Sequence, residues 1–456
     1  MRAERVDLQR PRRVHIVGVG GAGMSGLARI LAGLGHEVSG SDLAASPTVT
    51  ALVGAGITVE VGHDAANLGA ADLVTASPAV SADNVELVEA RARGIEVATR
   101  AEMLGALCAL RATLAVAGTH GKTTTSSMLT LILETAGRAP SWLIGADVAG
   151  VGANARLAGG AELVMEADES YGTFAELSPT LVALGTVEAD HLDHYGTLES
   201  LEAAFAGLLS RADESVVHAD HPTSRSLGEA AGSFLVGADE RFDAVVRDVL
   251  LERASSSFVL AVDGTSMPVH LGAPGRHNVA NAALAAAVAV RRGVEAEVIV
   301  AALGRFAGVP RRFEFRGEVL GATAVDDYAH LPGEVAVIVA TARAGGWRRV
   351  VAVFQPHRYT RTAALAAQFA GAFDGVDLLV VTDIYPAGEA PIPGVTGRLV
   401  ADAVAASPGA PRVQYVPRRV DVADVVAPLL EPGDLLLTMG AGDLTTLPDE
   451  LRERGR

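Results

Sequence analysis

Short apolar runs, many closing in glycine or an acidic residue, alternate with alanine-rich stretches along the whole chain. Val14–Val17, Thr113–Ala117, Glu162–Met165, Leu181–Gly185, Ala322–Val325, Val350–Phe354, Leu378–Thr382 and Leu435–Met439 are the clearest runs. Strands buried on both faces read as continuous apolar runs, whereas half-exposed strands alternate. Runs of this kind separated by helical stretches predict α/β domains on parallel sheets. The pattern restarts twice. One block opens at Val14 and closes near Arg111, and a second opens at Thr113. A third follows the break Gly308-Val309-Pro310-Arg311-Arg312. Three domains are expected, at 1–110, 111–312 and 313–456. Acidic glycine-rich pieces such as Val262–Gly264 read as turns inside the second block.

Composition narrows the class. With 49% hydrophobic and 20% charged residues, each block can bury a core of its own. No apolar run approaches the ~20 residues a bilayer span needs, and the charged start Met1–Arg13 lacks the apolar centre of a signal peptide. The single cysteine, Cys108, excludes an internal disulfide and a cysteine-rich zinc site. A cytoplasmic protein without membrane insertion is expected. No period of 20–50 residues recurs, which argues against a solenoid. A net charge of −17 argues against a nucleic-acid partner, because duplex binding rests on neutralising phosphates. Anionic ligands would then meet a local positive field. Its centre is suggested by Lys122, the one lysine in the chain, while all other cationic side chains are arginine. A compact ammonium and a planar guanidinium differ most where phosphates are cradled.

Five groups of residues carry candidate chemistry. Gly18-Val19-Gly20-Gly21-Ala22-Gly23-Met24-Ser25-Gly26 follows a strand and opens a helix, so backbone N–H groups can approach a diphosphate. Asp42 follows at about the spacing of a ribose-binding acid. Taken alone this turn would also suit an NAD-linked dehydrogenase, or a plain strand-to-helix turn. The second stretch, Gly118-Thr119-His120-Gly121-Lys122-Thr123-Thr124, is a shortened phosphate loop in which Val116 stands where the first glycine belongs. Its amides and ammonium suit ATP phosphates, and Thr123 is placed for Mg²⁺. Glu166-Ala167-Asp168-Glu169-Ser170 and Glu188–His194 are acidic clusters at strand ends, where hard oxygens can hold Mg²⁺ or remain a solvated loop. Asn278 and Asn281 share a helical face that can read a nucleotide, with helix capping as the alternative. Last come Asp326–His330 and Gln355–Arg361, where Arg358 and Arg361 can clamp a carboxylate or phosphate or serve as surface arginines. No G-x-S-x-G elbow is present.

Together these stretches resemble, in order and over nearly the whole chain, the Mur ligases of peptidoglycan synthesis. Gly-Gly-Ala-Gly-Met-Ser-Gly and Gln-Pro-His-Arg-Tyr-Thr-Arg-Thr resemble the alanine-adding branch. The resemblance implies a Rossmann-like N-terminal domain for a UDP sugar and a central P-loop ATPase-type domain. A Rossmann-like C-terminal domain would help bind ATP and the amino acid. It implies ATP-dependent joining of L-alanine to UDP-N-acetylmuramate through an acyl phosphate, by a monomer or weak homodimer; a ligase recycling muramyl peptides is the neighbouring possibility. Gly20, Gly21, Gly23, Met24, Ser25 and Asp42 would then hold the UDP sugar. Gly118 to Thr124 would bind ATP, and Thr123, Glu166 and His191 the Mg²⁺. Asn278, Asn281, Arg312 and Asp327 would complete the nucleotide site, with Tyr328, His330, Arg358 and Arg361 around the amino acid. Lys122, Glu166, His191, Arg312, Asp327 and His330 would carry the chemistry. Other branches use a second, carbamylated lysine at the metal, and this chain has none. Three departures stand out: Leu331 replaces a histidine, Tyr171 an aspartate, and Thr186-Val187 an asparagine-containing pair.

Overall fold

The computed structural model describes residues 6–146 and 153–454, apart from the side chains of Leu192 and Asp193. The first residues of the charged start, Met1–Arg5, and the Asp193 carboxylate of the second acidic cluster therefore lie outside the described residues. Three sheets follow the three sequence blocks, while compactness groups the chain into two units. The first runs to Asp248 and takes in Phe258–Val269 and Ala280–Phe306. The second comprises Val249–Ser257, His270–Val279 and the chain from Ala307 onward.

In the first unit, a five-stranded parallel sheet runs in the order Thr58–Val61, Glu37–Asp42, Arg13–Val17, Leu73–Ala76, Glu96–Ala98. From Val14 onward its middle strand, Arg13–Val17, is buried on both faces, His15 included. The helix Ala22–Gly33 follows at once and buries Leu27, Ile30 and Leu31. Gly26 lets this helix lie against Leu143 and Ala155 of the next sheet, and Asn154 Nδ2 donates to Ala22 O at 2.9 Å. One apolar core therefore continues from the first sheet into the second.

The second sheet has a parallel centre in the order Phe234–Gly237, Glu214–His218, Leu181–Leu184, Ala112–Ala117, Glu162–Glu166, Ser141–Leu143. Ala112–Ala117 pairs directly with the two strands whose ends carry the acidic clusters. The lysine loop and both clusters consequently share one carboxyl edge, where sites form in open α/β sheets.

The second unit holds a six-stranded sheet in the order Glu314–Val319, Ala322–Asp327, Leu435–Met439, Val350–Phe354, Leu378–Thr382, Arg412–Val416. Only the first pair is antiparallel. The two edge strands are absent from the apolar-run reading. Glu314–Val319 and Arg412–Val416 carry charged, exposed positions, because an edge strand is not buried on both faces.

Candidate functional site

The lysine loop is shaped by its backbone. Gly121 caps the helix Lys122–Thr135 in the left-handed region, at φ 77°, and a Cβ there would collide with Asn281 Oδ1. Glycine suits the position on both counts, and Asn281 lies against the loop. Thr119 N donates to Thr186 O at 2.7 Å, Glu188 N donates to Thr119 Oγ1 at 2.9 Å, and His120 Nε2 lies 3.3 Å from Glu188 Oε2. Thr186 contributes its backbone oxygen and Val187 is fully buried, so the departure at this pair leaves the loop's anchors in place.

Lys122 Nζ donates to Gly118 O at 2.8 Å and to both oxygens of Glu169 at 2.8 and 2.7 Å. The two side chains are 12% and 1% exposed. Burial works against the ammonium, but Glu169, Asp168 and Glu166 override it and hold Lys122 above its ordinary value. Glu169 was one letter of an acidic run in the sequence. Its pairing with Lys122, across 47 positions, needs the parallel pairing of Ala112–Ala117 with Glu162–Glu166 to bring it about.

Thr123 Oγ1 donates to Glu166 Oε1 at 3.2 Å, and Gly145 N donates to Glu166 Oε2 at 2.8 Å. Asp168, Glu169 and His191 form a second group whose ligand atoms lie within 4.8 Å of one another. Burial tends to raise the Asp168 carboxyl, but Lys122, hydrogen bonds from Ser170 and the charge of Arg100 hold it below the usual range. His191 and Tyr171 adopt left-handed backbone at φ 51° and 54°, as do Arg311, Phe313 and Arg358. Such conformations cost roughly 1–3 kcal/mol each and persist where surrounding structure over-determines them. Tyr171 is half exposed with its ring edge toward His194.

At the glycine-rich turn, Asp42 Oδ2 accepts from Gly20 N at 2.8 Å, so this carboxylate shapes the turn. Met24 and Ser25 are buried in the helix, and Ser25 Oγ donates to Ala22 O at 3.0 Å. What faces outward is the backbone of Gly20, Gly21 and the first helical turn at Gly23. Close over Gly23 lies the guanidinium of Arg100, a residue absent from the candidate list. Its neighbours Thr99 and Glu102 carry the T-x-x-E capping signature, but nothing in the sequence indicates where its side chain goes.

The second unit gathers the remaining candidates. Asn278 Nδ2 donates to Pro274 O at 2.8 Å, which ties it to the loop preceding its helix. Asp327 is 2% exposed and accepts from Phe313 N and Ala329 N, both at 2.7 Å. Burial pushes its carboxyl up to about 6, against the pull of Arg312 and these two donors. Arg311 and Arg312 both lie over the Tyr328 ring, at 4.8 and 5.4 Å from its centroid. His330 Nδ1 lies 3.1 Å from Tyr328 O and 3.3 Å from Glu334 Oε2. Burial, with Arg361 and Arg312, holds His330 below its ordinary value despite Glu334, so its ring is neutral at pH 7. Arg361 Nη1 lies 3.4 Å from His357 Nδ1, and the His357 ring is 5.6 Å from that of His330. Arg358 is instead bound by Glu389, Nε to Oε1 at 2.7 Å. Leu331, buried, donates its N–H to Glu334 Oε2 and accepts from Val335 N through its carbonyl. His357 stands in the Gln355–Arg361 stretch, where the sequence assigned it no role.

Family models match in chain order: "Mur ligase family, catalytic domain" at residues 13–112, "Mur ligase middle domain" at 116–289 and "Mur ligase, glutamate ligase domain" at 311–442. The chain is 47% identical to the UDP-N-acetylmuramate–L-alanine ligase of Kineococcus radiotolerans, over 96% of this chain and 95% of that one. It is 44% identical to the enzyme of the same name from Thermobifida fusca, covering 99% and 98%. Among solved structures, the UDP-N-acetylmuramate-alanine ligase of Thermotoga maritima superposes with a TM-score of 0.82 at 28% identity, covering 97% and 99%. With three family models matched in chain order and full-length relatives at 47% and 44% identity, the chain belongs to the Mur ligase family.

Proposed function

We propose that this chain couples cleavage of ATP to amide formation between L-alanine and the lactyl carboxylate of UDP-N-acetylmuramate. The products are UDP-N-acetylmuramoyl-L-alanine, ADP and phosphate, a step of peptidoglycan precursor synthesis. The observation that carries this reading is full-length similarity, at 44–47% identity, to ligases of that name. The lysine loop described above supports it. We assign residues 1–110 to the UDP sugar, 111–312 to ATP, and 313–456 to the amino acid and part of the nucleotide, with Asn278, Arg312 and Asp327 serving that nucleotide.

A carboxylate is a poor electrophile, so its oxygen must first become a leaving group. The lactyl carboxylate attacks the γ-phosphorus of ATP, giving an acyl phosphate and ADP. The amine of L-alanine then attacks the acyl carbon and expels phosphate. The first step brings anions together, and Lys122 offsets charge on the transferring group from a fixed, buried position. The neighbouring hard oxygens of Thr123 and Glu166 fit the donor chemistry of Mg²⁺. With His191 they would hold the ion, which when bound supplies further neutralisation of phosphate charge. The amine must attack as the free base. His330 is neutral, and its Nδ1 faces Tyr328 O and Glu334, which leaves Nε2 as the acceptor for the amine proton. Arg361 is the guanidinium assigned to the amino-acid carboxylate, since Glu389 engages Arg358.

Measuring ADP release against UDP-N-acetylmuramate with a panel of L-alanine, glycine, L-serine and a muramyl-type tripeptide tests the reading. Turnover that requires both the sugar nucleotide and L-alanine is expected. Preference for the tripeptide, or turnover without UDP-N-acetylmuramate, would overturn it.

A further inference from the structure

We infer that Arg100 binds the diphosphate of the sugar nucleotide, closing over the glycine-rich turn from the opposite side; the inference rests on the functional reading above. Arg100 is the first residue of the helix Arg100–Cys108, which follows the edge strand Glu96–Ala98. Its backbone is fixed by a reciprocal cap: Glu102 N donates to Thr99 Oγ1 at 3.2 Å and Thr99 N to Glu102 Oε2 at 2.7 Å. From that fixed start the side chain reaches the first turn of the helix Ala22–Gly33. A Cβ at Gly23 would lie 2.7 Å from Arg100 Cζ. A side chain at position 23 would push the guanidinium aside, so glycine there leaves it room to lie on the turn.

The guanidinium is poorly satisfied for its setting. The side chain is only 16% exposed, and among the described residues its one ion pair is to Asp168 Oδ2 at 4.0 Å, too long for a hydrogen bond. Arg100 Nε is buried with no partner. Arginine carries five N–H donors and does not lose its charge. A buried charged donor without an acceptor costs more than a neutral one, so native structures rarely keep such groups without a reason. The turn beside it presents backbone amides at a helix N-terminus, which favours an anion. A diphosphate offers paired oxygens that match the guanidinium fork. Arg100 is a cationic side chain packed against that turn, and Asp168 lies 4.0 Å from Nη1 of its fork.

Calorimetric titration of the full chain with UDP, which carries the diphosphate but no sugar or carboxylate, tests this. Arg100→Ala should weaken UDP by ~10–100-fold, the range for a lost charge-assisted hydrogen bond. Arg100→Lys should recover part of that loss, and the KM for ATP should stay within about twofold in both. Thermal melts of each variant report whether the fold is intact, and a folded Arg100→Lys keeps the test valid if Arg100→Ala does not fold. Equal UDP affinity in wild type and Arg100→Ala overturns this inference alone. So does a loss confined to UDP-N-acetylmuramate with UDP unchanged, which would place the guanidinium at the sugar or its carboxylate. A wild-type chain that fails to bind UDP overturns the functional reading as well.

Discussion

Replacing Lys122 by methionine separates two roles that the side chain fills at once. The substitution keeps most of the volume and removes the ammonium from between Gly118 O and the two oxygens of Glu169. Glu169, with its side chain 1% exposed, is then a buried carboxylate without its counter-ion. Breaking a buried pair from one side costs ~3–5 kcal/mol, because the remaining charge keeps its desolvation penalty without compensation. Adding Glu169→Gln in the same chain removes that charge, and the double variant should return to within ~1–2 kcal/mol of wild type. Urea unfolding followed by circular dichroism reads this part. Turnover should behave differently. Losing a charge that acts on the transferring phosphoryl group costs on the order of 100–1000-fold in kcat, and the second substitution offers nothing to replace it. Stability restored with activity still lost is the expected pattern in the double variant. Near-normal ADP release from it would refute the phosphate role of Lys122. A Lys122→Met chain as stable as wild type would refute the buried pair.

Lys122→Arg preserves charge but not shape, and a planar fork does not fit a cage built around a point charge; ADP release should fall below about 1% of wild type, and a variant retaining normal turnover would show that charge alone suffices. Gly121→Ala places a Cβ against Asn281 Oδ1 at a left-handed position and should destabilise the chain by more than ~1 kcal/mol, with a raised KM for ATP; unchanged melting and KM would show that the loop tolerates another shape. For Asp327 the folded value, about 6, lies above the ordinary 3.8, so its stabilising share is complete below about pH 4 and is lost as pH rises through 6. The stability of wild type relative to Asp327→Asn should therefore drop by ~1–1.5 kcal/mol between pH 5 and pH 8, and a difference independent of pH would contradict the raised value.

The sequence identified strands best where they are buried on both faces. Arg13–Val17, Ala112–Ala117, Leu181–Leu184 and Val350–Phe354 fall within a residue or two of their apolar runs. Glu314–Val319 was invisible because an edge strand mixes Arg316 and Glu318 with its apolar positions. At the site, the loops were legible because their chemistry is local: a turn needs its glycines within a few positions. Partnerships across the fold were not. Asp42 lies at the spacing of a ribose acid, yet its carboxylate is engaged with Gly20 N, a bond that depends on how the neighbouring strands Arg13–Val17 and Glu37–Asp42 are aligned. Arg358 and Arg361 looked equivalent as an i, i+3 pair until Glu389, 31 positions on, distinguished them. Arg100 illustrates the same limit, since only the packing of two helices sets its guanidinium over Gly23.

Activation of the sugar nucleotide's carboxylate as an acyl phosphate at the Lys122 loop moves one carboxylate oxygen into the released phosphate. Carrying out the reaction with ¹⁸O in both lactyl carboxylate oxygens tests it most directly. One labelled oxygen should leave in the released phosphate, the other should stay in the new amide, and none should enter ADP. Phosphate free of label, with ATP still consumed and amide still formed, would contradict it.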